Sequence, residues 1–416
     1  MRQHAKCCKR IVVKYGGASL ADDALLSKAV ADVTGEAEKG TQVAVVVSAI
    51  GKTTDLLLST ARNTSNGKVG KGDLDDILAM GERTSIRIFA AALNANGVES
   101  RYIDPTDPEW PIMTDDAFSN ANPLLDHCKD RIRQFILPLV EHNIVPVIAG
   151  FIGKTLDGKI STLGRGGSDT TAFILAEALG ADEVVLIINA DGIMSASPKI
   201  VKNPKRLDEI DVSILAGIAD SGTKFIHRKA LRYKSPLIDV RVVNRTCDLN
   251  SSGTLITGAL STCLDVVLAC RSPAMSITVV GHAISRQPEI VVELAKIVKA
   301  HVSLLGVSLN YDSVILYLSE KGDCSLLFEE IHEVILKHDE TVAMSVREKL
   351  AFLEIKGVGL EETPGIVGKI SEALRLNDIN IFGILTITSS ILIFVDWKER
   401  ETVQKLIRDS LRRNKR

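Results

Sequence analysis

From about residue 11 to residue 258, short apolar runs alternate with longer segments that carry a helical pattern. Apolar runs cover residues 43–47, 145–151 and 184–188. Such runs are typical of strands that are buried on both faces of a parallel sheet. The segments 22–35 and 73–96 are predicted to be helices, and in the second of them apolar residues recur three and four positions apart. The pattern predicts an α/β domain whose mostly parallel sheet lies between helices.

The pattern changes near residues 258–273, and the rest of the chain is built from shorter elements. The order strand, helix, strand, strand occurs there twice, with about 70 residues in each copy. Small units of this kind cover one face of their sheet and tend to pair edge to edge, which can join subunits. We therefore predict three domains, over residues 1–262, 271–342 and 343–416, and elements of the last two could be interleaved.

The composition and net charge favour a globular protein and argue against a nucleic-acid-binding, secreted or membrane protein. The chain has 416 residues, of which 45% are hydrophobic and 25% charged, and its net charge is −2, so a surface for nucleic acid is not expected. Its seven cysteines lack the paired spacing of metal sites and are typical of reduced thiols. The basic first ten residues lack the apolar core of a signal peptide, and no apolar run is long enough to span a bilayer. The sequence therefore predicts a soluble cytoplasmic protein without a membrane partner.

The stretch 161–172, Ser-Thr-Leu-Gly-Arg-Gly-Gly-Ser-Asp-Thr-Thr-Ala, carries the densest group of chemical side chains. Its glycines predict a loop that leads directly into a helix, with Ser168 as the N-cap and Asp169 in the first turn. Helix N-termini attract anions, and Arg165 adds a planar cation suited to a carboxylate or a phosphate. A plain turn capped by Ser168 is the alternative. The spacing matches neither a Walker A motif nor a dinucleotide fingerprint.

Further candidates lie at or near the ends of other predicted strands and within a predicted helix. Lys14 stands where the first strand ends, beside Gly16 and Gly17, so its ammonium could reach a phosphate that approaches bare backbone. Residues 48–55 form a loop rich in small hydroxyl side chains. Glu82, in the helix 73–96, could bind a substrate ammonium, although an exposed helical carboxylate is the alternative.

These stretches, taken in order, resemble the aspartate kinase family. The resemblance rests on residues 14–17 (Lys-Tyr-Gly-Gly), 48–55, Gly81-Glu82, 164–169 (Gly-Arg-Gly-Gly-Ser-Asp), 192 onward and 222–227. The repeated tail resembles the pair of ACT domains by which these enzymes bind amino-acid effectors and dimerise. The resemblance covers almost the whole chain and implies an amino acid kinase fold followed by two α+β ACT-like domains.

The resemblance implies an enzyme that uses ATP and Mg²⁺ to phosphorylate the side-chain carboxylate of L-aspartate, yielding 4-phospho-L-aspartate. This reaction is the first step in making lysine, threonine and related amino acids. Lys14 would neutralise the moving phosphoryl group, and Asp169 would organise Lys14 or Mg²⁺. Arg165 would bind the α-carboxylate of aspartate and Glu82 its ammonium. The same pocket would be lined by Ser48, Thr53 and Ser168.

On the nucleotide side, the resemblance assigns two groups of residues. Gly16, Gly17 and Ser19 would cradle the phosphates together with Lys224, and the adenosine side would involve Asn189, Asp191, Gly192 and Lys199. This side departs from the family pattern, because Asn189 and Ser197 replace acids and Met194 replaces an aromatic residue. Two alternatives therefore stay open: a catalytically weakened sensor that binds an amino acid, and a kinase of another small amino-acid carboxylate such as glutamate.

In the tail, the resemblance points to an effector loop. It comprises Thr363, Pro364, Gly365 and Ile366, with Ser389 on a neighbouring strand, and the effector would be an amino acid such as lysine or threonine. Leu392 stands where the family usually has a polar side chain. A purely structural ACT pair is the alternative. Either form implies a homodimer or homotetramer held through the ACT domains.

Overall fold

The computed structural model describes residues 8–219, 226–260, 264–319, 323–357, 360, 365–387 and 390–412. The chain divides into two units, residues 1–260 and 261–416. In the described parts of both units, no helix combines the length and the apolar character that crossing a bilayer would require.

The elements of the first unit follow the predicted alternation of strands and helices. The strands are β1 (Arg10–Tyr15), β2 (Gln42–Val47), β3 (Ser100–Ile103), β4 (Met113–Thr114), β5 (Val145–Ala149), β6 (Ile152–Thr155), β7 (Ile160–Thr162), β8 (Glu183–Ile188), β9 (Glu209–Asp211), β10 (Asp239–Asn244) and β11 (Thr254–Thr257). The helices are α1 (Asp23–Glu38), α2 (Thr53–Thr64), α3 (Lys71–Ala95), α4 (Leu125–Arg131), α5 (Leu137–Glu141), α6 (Gly167–Leu179), α7 (Val212–Ala219) and α8 (Arg228–Leu231).

The main sheet of this unit places the ends of the central strands side by side. Over the described residues its order is β3-β5-β2-β1-β8-β10-β11-β9, and all neighbours are parallel except β10 and β11. In register, Lys14 of β1 lies beside Val46 of β2 and Leu186 of β8. Because these strands are parallel, the loops that follow them meet at one edge, where open α/β sheets bind ligands. The predicted parallel sheet between helices is confirmed.

A small sheet in the order β4-β6-β7 delivers the glycine-rich loop to that edge. The loop leads into α6, which is buried along nearly its whole length because it packs beneath the main sheet strands. The prediction that Ser168 caps α6 is wrong. The N-cap is Gly166, in a left-handed conformation with φ of 72°, and the helix begins one residue before Ser168. The Ser168 hydroxyl is therefore available for another contact.

The second unit contains two interleaved α+β halves, and over the described residues their strands share one seven-stranded sheet. Its strands are β12 (Asp265–Leu268), β13 (Ala274–Gly281), β14 (Leu304–Leu309), β15 (Ser313–Ser319), β16 (Thr341–Lys356), β17 (Gly383–Ile387) and β18 (Ser390–Asp396), and its helices are α9 (Pro288–His301), α10 (Ser325–Lys337), α11 (Ile366–Arg375) and α12 (Arg400–Arg412). The long strand β16 pairs with β13 through its first half and with β12 and β18 through its second half. The second half therefore takes β12 from the part of the chain that precedes the first half.

Candidate active site

An ion pair between Lys14 and Asp169 lies at the ligand-binding edge of the sheet. Lys14 Nζ is 2.7 Å from Asp169 Oδ1, and only 12% and 8% of the two side chains are exposed. Lys14 is placed by the buried strand β1, and Asp169 by the first turn of α6. An ammonium held this far from bulk water acts strongly on a nearby negative charge, because the local dielectric is low.

The loop after β1 packs closely against the loop after β2. A Cβ atom on Gly17 would lie 2.7 Å from the Ala49 carbonyl oxygen, so any larger residue would push the two loops apart. Gly51 N donates to Gly17 O at 3.1 Å, and Ser19 Oγ donates to Ile187 O of β8 at 3.1 Å. The loop that contains Gly16 is thus fixed on both sides, with Lys14 at its start.

Two serines join the loop after β2 to α6. Ser48 Oγ donates to Ser168 Oγ at 2.9 Å, in a contact that is partly buried. Thr53, by contrast, uses its hydroxyl locally and donates to Ile50 O at 2.7 Å, as the first residue of α2. Because Ser168 precedes Asp169, the serine pair brings the β2 loop next to the Lys14–Asp169 ion pair.

Glu82 is buried in α3 and faces the same loop. It is 3% exposed, and its Oε1 accepts a hydrogen bond from Ala49 N at 3.1 Å. Its Oε2 is buried without a hydrogen-bond partner among the described residues. Burial raises the pKa of Glu82 to about 7, although the Ala49 amide opposes the shift. A buried carboxylate oxygen without a donor is a site for a cation that arrives with a ligand.

Arg165 is exposed on the loop between β7 and α6. The glycines on both sides of it, Gly164 and Gly166, each have φ of 72°, a backbone conformation that side chains other than glycine rarely adopt. The loop therefore turns sharply and presents the guanidinium outward. A guanidinium can form two parallel hydrogen bonds to a carboxylate.

Two buried charged residues that hold this loop, Asp75 and Lys229, were not predicted from the sequence. Asp75 of α3 accepts hydrogen bonds from the backbone amides of Ser119 and Thr162 at 2.7 and 2.8 Å, and from their hydroxyls at 3.2 and 3.0 Å. Lys229 of α8 donates to Leu163 O at 2.7 Å and to Asn120 Oδ1 at 2.7 Å. Neither Asp75 nor Lys229 was among the residues predicted from the sequence, because each lies far along the chain from the segments that it binds.

The predicted nucleotide residues are spread along the loop after β8. Asn189 and Asp191 are exposed, and Asp191 Oδ1 accepts a hydrogen bond from Asn244 Nδ2 at 2.5 Å. Gly192 is buried against Thr254, whereas Lys199 is exposed and its amide donates to Ser197 Oγ at 3.4 Å. Lys224 lies outside the described residues. The described contacts do not bring Lys199 to the Lys14–Asp169 pair.

Two of the predicted effector residues lie at the start of α11 in the second unit. Gly365 is the N-cap, with φ of 80°, and Ile366 is the buried first residue of the helix. Thr363, Pro364 and Ser389 lie outside the described residues.

The contacts described above form one connected series from Glu82 to Lys14. Glu82 binds Ala49, Ser48 binds Ser168, and Asp169 binds Lys14. One end of the series offers a carboxylate oxygen to a cation, and the other end offers a buried ammonium to an anion. Such an arrangement can hold a zwitterionic molecule beside a phosphate and stabilise negative charge between them.

Comparison with known proteins places the chain in a family. The sequence model of the amino acid kinase family matches residues 9–244, and that of an ACT domain matches residues 345–409. The aspartokinase of Mycobacterium tuberculosis (strain ATCC 25618 / H37Rv) is 31% identical over 412 residues, covering 94% of this chain and 93% of that one. The aspartokinase of Geobacillus stearothermophilus is 29% identical over 380 residues, covering 89% of each chain.

Solved structures agree on the fold. Aspartate kinase from Synechocystis superposes with a TM-score of 0.76 at 21% identity, over 97% of this chain and 69% of that one. E. coli aspartokinase III in complex with aspartate and ADP gives a TM-score of 0.56 at 23% identity, over 97% and 100% of the two chains. The fold, the matched family models and the sequence identity to the mycobacterial enzyme lead to one conclusion: the chain belongs to the aspartokinases of the amino acid kinase family.

Proposed function

We propose that this protein transfers the γ-phosphoryl group of ATP to the side-chain carboxylate of L-aspartate. A carboxylate oxygen attacks the γ-phosphorus, the bond from that phosphorus to the bridging oxygen breaks, and ADP leaves with the electron pair. The product, 4-phospho-L-aspartate, is an acyl phosphate that a following reductive step can consume on the way to lysine and threonine. The family to which the chain belongs and the aspartate and ADP bound by E. coli aspartokinase III support this assignment.

The observation that carries the proposal is the unpartnered Oε2 of Glu82, in the same series of contacts as the Lys14–Asp169 pair. Glu82 binds the substrate ammonium and Arg165 binds the α-carboxylate, so the side-chain carboxylate of a short amino acid extends toward Lys14. Lys14 offsets the negative charge of the moving phosphoryl group. Ser48 and Ser168 line the path between the two ends.

Mg²⁺ accompanies ATP in this proposal. The described residues contain no group of three or more His, Cys, Asp or Glu side chains that could hold a metal ion. Proteins commonly bind Mg²⁺ through one or two carboxylates together with substrate phosphates, and Asp169 supplies one carboxylate of this kind. Mg²⁺ supplies charge neutralisation on the phosphates. Gly16, Gly17 and Ser19 hold the phosphates, and Asn189, Asp191 and Gly192 lie on the adenosine side.

The experiment that tests this function is a hydroxamate assay for acyl phosphate, with purified protein, ATP, Mg²⁺ and either L-aspartate or L-glutamate. Hydroxamate is expected with aspartate, at least tenfold less with glutamate, and none when EDTA removes Mg²⁺. Equal product with glutamate would instead favour a kinase of another small carboxylate. Absence of product from folded protein that still binds aspartate would favour a sensor.

We also propose that the second unit binds an amino-acid effector and joins two copies of the chain. E. coli aspartokinase III has a lysine complex in which aspartate is also bound. In this chain Gly365 and Ile366 begin α11, and the edge strand β14 leaves Leu304, Val307 and Leu309 partly exposed. We expect light scattering to give twice the monomer mass or a multiple of it, and lysine or threonine to lower turnover. A monomer with unchanged turnover would contradict this proposal.

A further inference from the structure

Two neighbouring segments of the first unit, residues 119–121 and 162–163, are held by buried ions of opposite charge. The segments pair directly, because Ala121 N donates to Thr162 O at 2.9 Å. Asp75 lies on one side and accepts from the amides of Ser119 and Thr162. Lys229 lies among their carbonyls, and its donors reach Ala121 O at 3.1 Å and Leu163 O at 2.7 Å. We call Asp75 and Lys229 together the Asp75–Lys229 clamp.

Both members of the clamp are buried and reach their partners across long stretches of sequence. Asp75 is fully buried and Lys229 is 4% exposed. Four donors surround the Asp75 carboxylate, and the Lys229 ammonium also bonds Asn120 through its side chain and its carbonyl. A fully satisfied buried network of this kind makes the local structure rigid, whereas removing one member leaves buried polar groups without partners.

The segment that the clamp holds leads directly into the loop that carries Arg165. Leu163, whose carbonyl binds Lys229, is followed by Gly164, Arg165 and Gly166. A Cβ atom on Gly166 would lie 2.6 Å from the Cβ of His227, the N-cap of the helix that contains Lys229. The exposed Arg165 side chain makes no described hydrogen bond of its own. The point from which this side chain extends is therefore set by the backbone on either side of it, which is anchored by Lys229 and α8.

We propose that Asp75 and Lys229 are positioning residues that set Arg165 at the distance and angle required by the α-carboxylate of the substrate. This inference rests on the proposed function, in which Arg165 binds that carboxylate. Neither residue touches the reacting groups. Misplacing a binding group by about 1 Å can lower a rate by a hundredfold. Because the clamp holds the loop that carries Arg165, its loss is expected to weaken aspartate binding far more than ATP binding.

The test compares Lys229→Met with Lys234→Met. Lys234 is also a buried lysine, 3% exposed, and it donates to three carbonyls, those of Ser235, Ile238 and Gly258. It lies in the segment that precedes β10, at the end of that strand opposite to the ligand-binding edge, so it controls for the general effect of losing a buried ammonium. We expect Lys229→Met to raise the Kd for aspartate, measured by calorimetry, by at least tenfold. The Kd for ATP should change less than threefold, and Lys234→Met should leave both values within threefold.

Asp75→Asn provides a second variant, because it acts on the same two segments from the other side. It is expected to raise the Kd for aspartate selectively as well. In the double variant with Lys229→Met the two effects should not add, since both act through one rigid unit. Asp76→Asn, an exposed neighbour on α3, is the matched control. If Lys229→Met does not fold, Asp75→Asn alone decides the question.

The inference is overturned if either folded variant binds aspartate as the wild type does, or if the Kd values for aspartate and ATP rise equally. Calorimetry needs no turnover, so it separates the two proposals. A wild-type protein that binds aspartate but yields no hydroxamate contradicts the proposed function, while selective loss of aspartate binding in the variants still supports the clamp.

Discussion

Lys14→Met is expected to lower kcat by about a thousandfold or more, because a buried charge that offsets the moving phosphoryl group is worth at least that much in rate. Methionine keeps the length of the side chain and removes only the charge. The Kd for aspartate should change little, since in the proposed function Glu82 and Arg165, rather than Lys14, bind the substrate. The measurement is kcat from the hydroxamate assay at saturating aspartate and ATP.

A loss of activity could also follow from unfolding, and the ion pair itself supplies the control. Removing Lys14 alone leaves Asp169 buried without its cation, which costs about 3–5 kcal/mol of folding free energy. Lys14→Met combined with Asp169→Asn removes both charges, so the double variant should recover much of that stability without recovering turnover. Lys28→Met, in the partly buried helical pair with Asp32, is the control for losing an ion pair away from this edge of the sheet and should keep full activity. Turnover that returns with stability in the double variant would assign Lys14 a structural role.

The first unit could be predicted well because its strands are marked by local composition. The runs 43–47, 145–151 and 184–188 became β2, β5 and β8, each shifted by no more than two residues at either end. A strand buried on both faces has almost no polar positions, so the pattern has few other interpretations. Most of the candidate site residues could also be located in the sequence, because they stand at the ends of predicted strands or, as Ser168 and Asp169 do, at the start of a predicted helix, whereas Glu82 lies within a helix.

Contacts between distant segments could not be predicted in the same way. Asp75 binds residues 44 and 87 positions away, and Lys229 binds Leu163, 66 positions away. In the sequence each looks like an ordinary charged residue on a helix. The capping of α6 failed for a related reason. Ser168 has the side chain of a good cap, but its hydroxyl accepts from Ser48, 120 positions away, while Gly166 allows the left-handed turn.

In the second unit, interleaving was allowed for from the sequence, but the strand that crosses from one half to the other could not be identified. The repeat of strand, helix, strand, strand was visible, but strand β12 precedes both copies and still pairs with the second half of β16. The predicted repeat also had no position for helix α10, which follows the last strand of the first copy. The order of strands in a sheet depends on contacts between segments far apart in the sequence, and the local pattern of apolar and polar residues does not show which strands pair.

Glu82 stood between two interpretations in the sequence, and the structure favours a functional one. Base rates for a helical glutamate predict exposure, yet this side chain is 3% exposed with one oxygen unpartnered. Keeping such a group costs stability whenever it is ionised, because no described cation compensates for its burial. A buried carboxylate that lowers stability in this way is typical of a ligand-binding or active site.

Glu82→Gln is therefore expected to lower kcat/KM for aspartate while raising the stability of the folded protein. The pKa of Glu82 in the free protein is raised to about 7, so the wild-type kcat/KM for aspartate should fall about tenfold for each pH unit below 7 and level off above it. The reason is that, in the proposed function, only the ionised carboxylate of Glu82 binds the substrate ammonium. Glutamine keeps the shape without the charge, and kcat/KM for this variant should be about a hundredfold lower at pH 8, with the dependence near pH 7 abolished. A pH profile identical to that of the wild type would contradict the role of Glu82.

The free energy of unfolding of Glu82→Gln should exceed that of the wild type at high pH, although kcat/KM is lower. The folded pKa of about 7 lies above the ordinary value of 4.5, so the folded protein binds the proton more tightly than the unfolded chain does. The contribution of Glu82 is thus fully present below pH 4.5 and is lost as the pH rises through 7. At pH 8.5, Glu82→Gln should be more stable than the wild type by up to about 3 kcal/mol, and at pH 5 the difference should fall below about 1 kcal/mol. Urea unfolding at the two pH values measures this. Saturating aspartate should reduce the advantage at pH 8.5, because its ammonium compensates the wild-type carboxylate, and an advantage that persists unchanged would mean that the ligand does not reach Glu82.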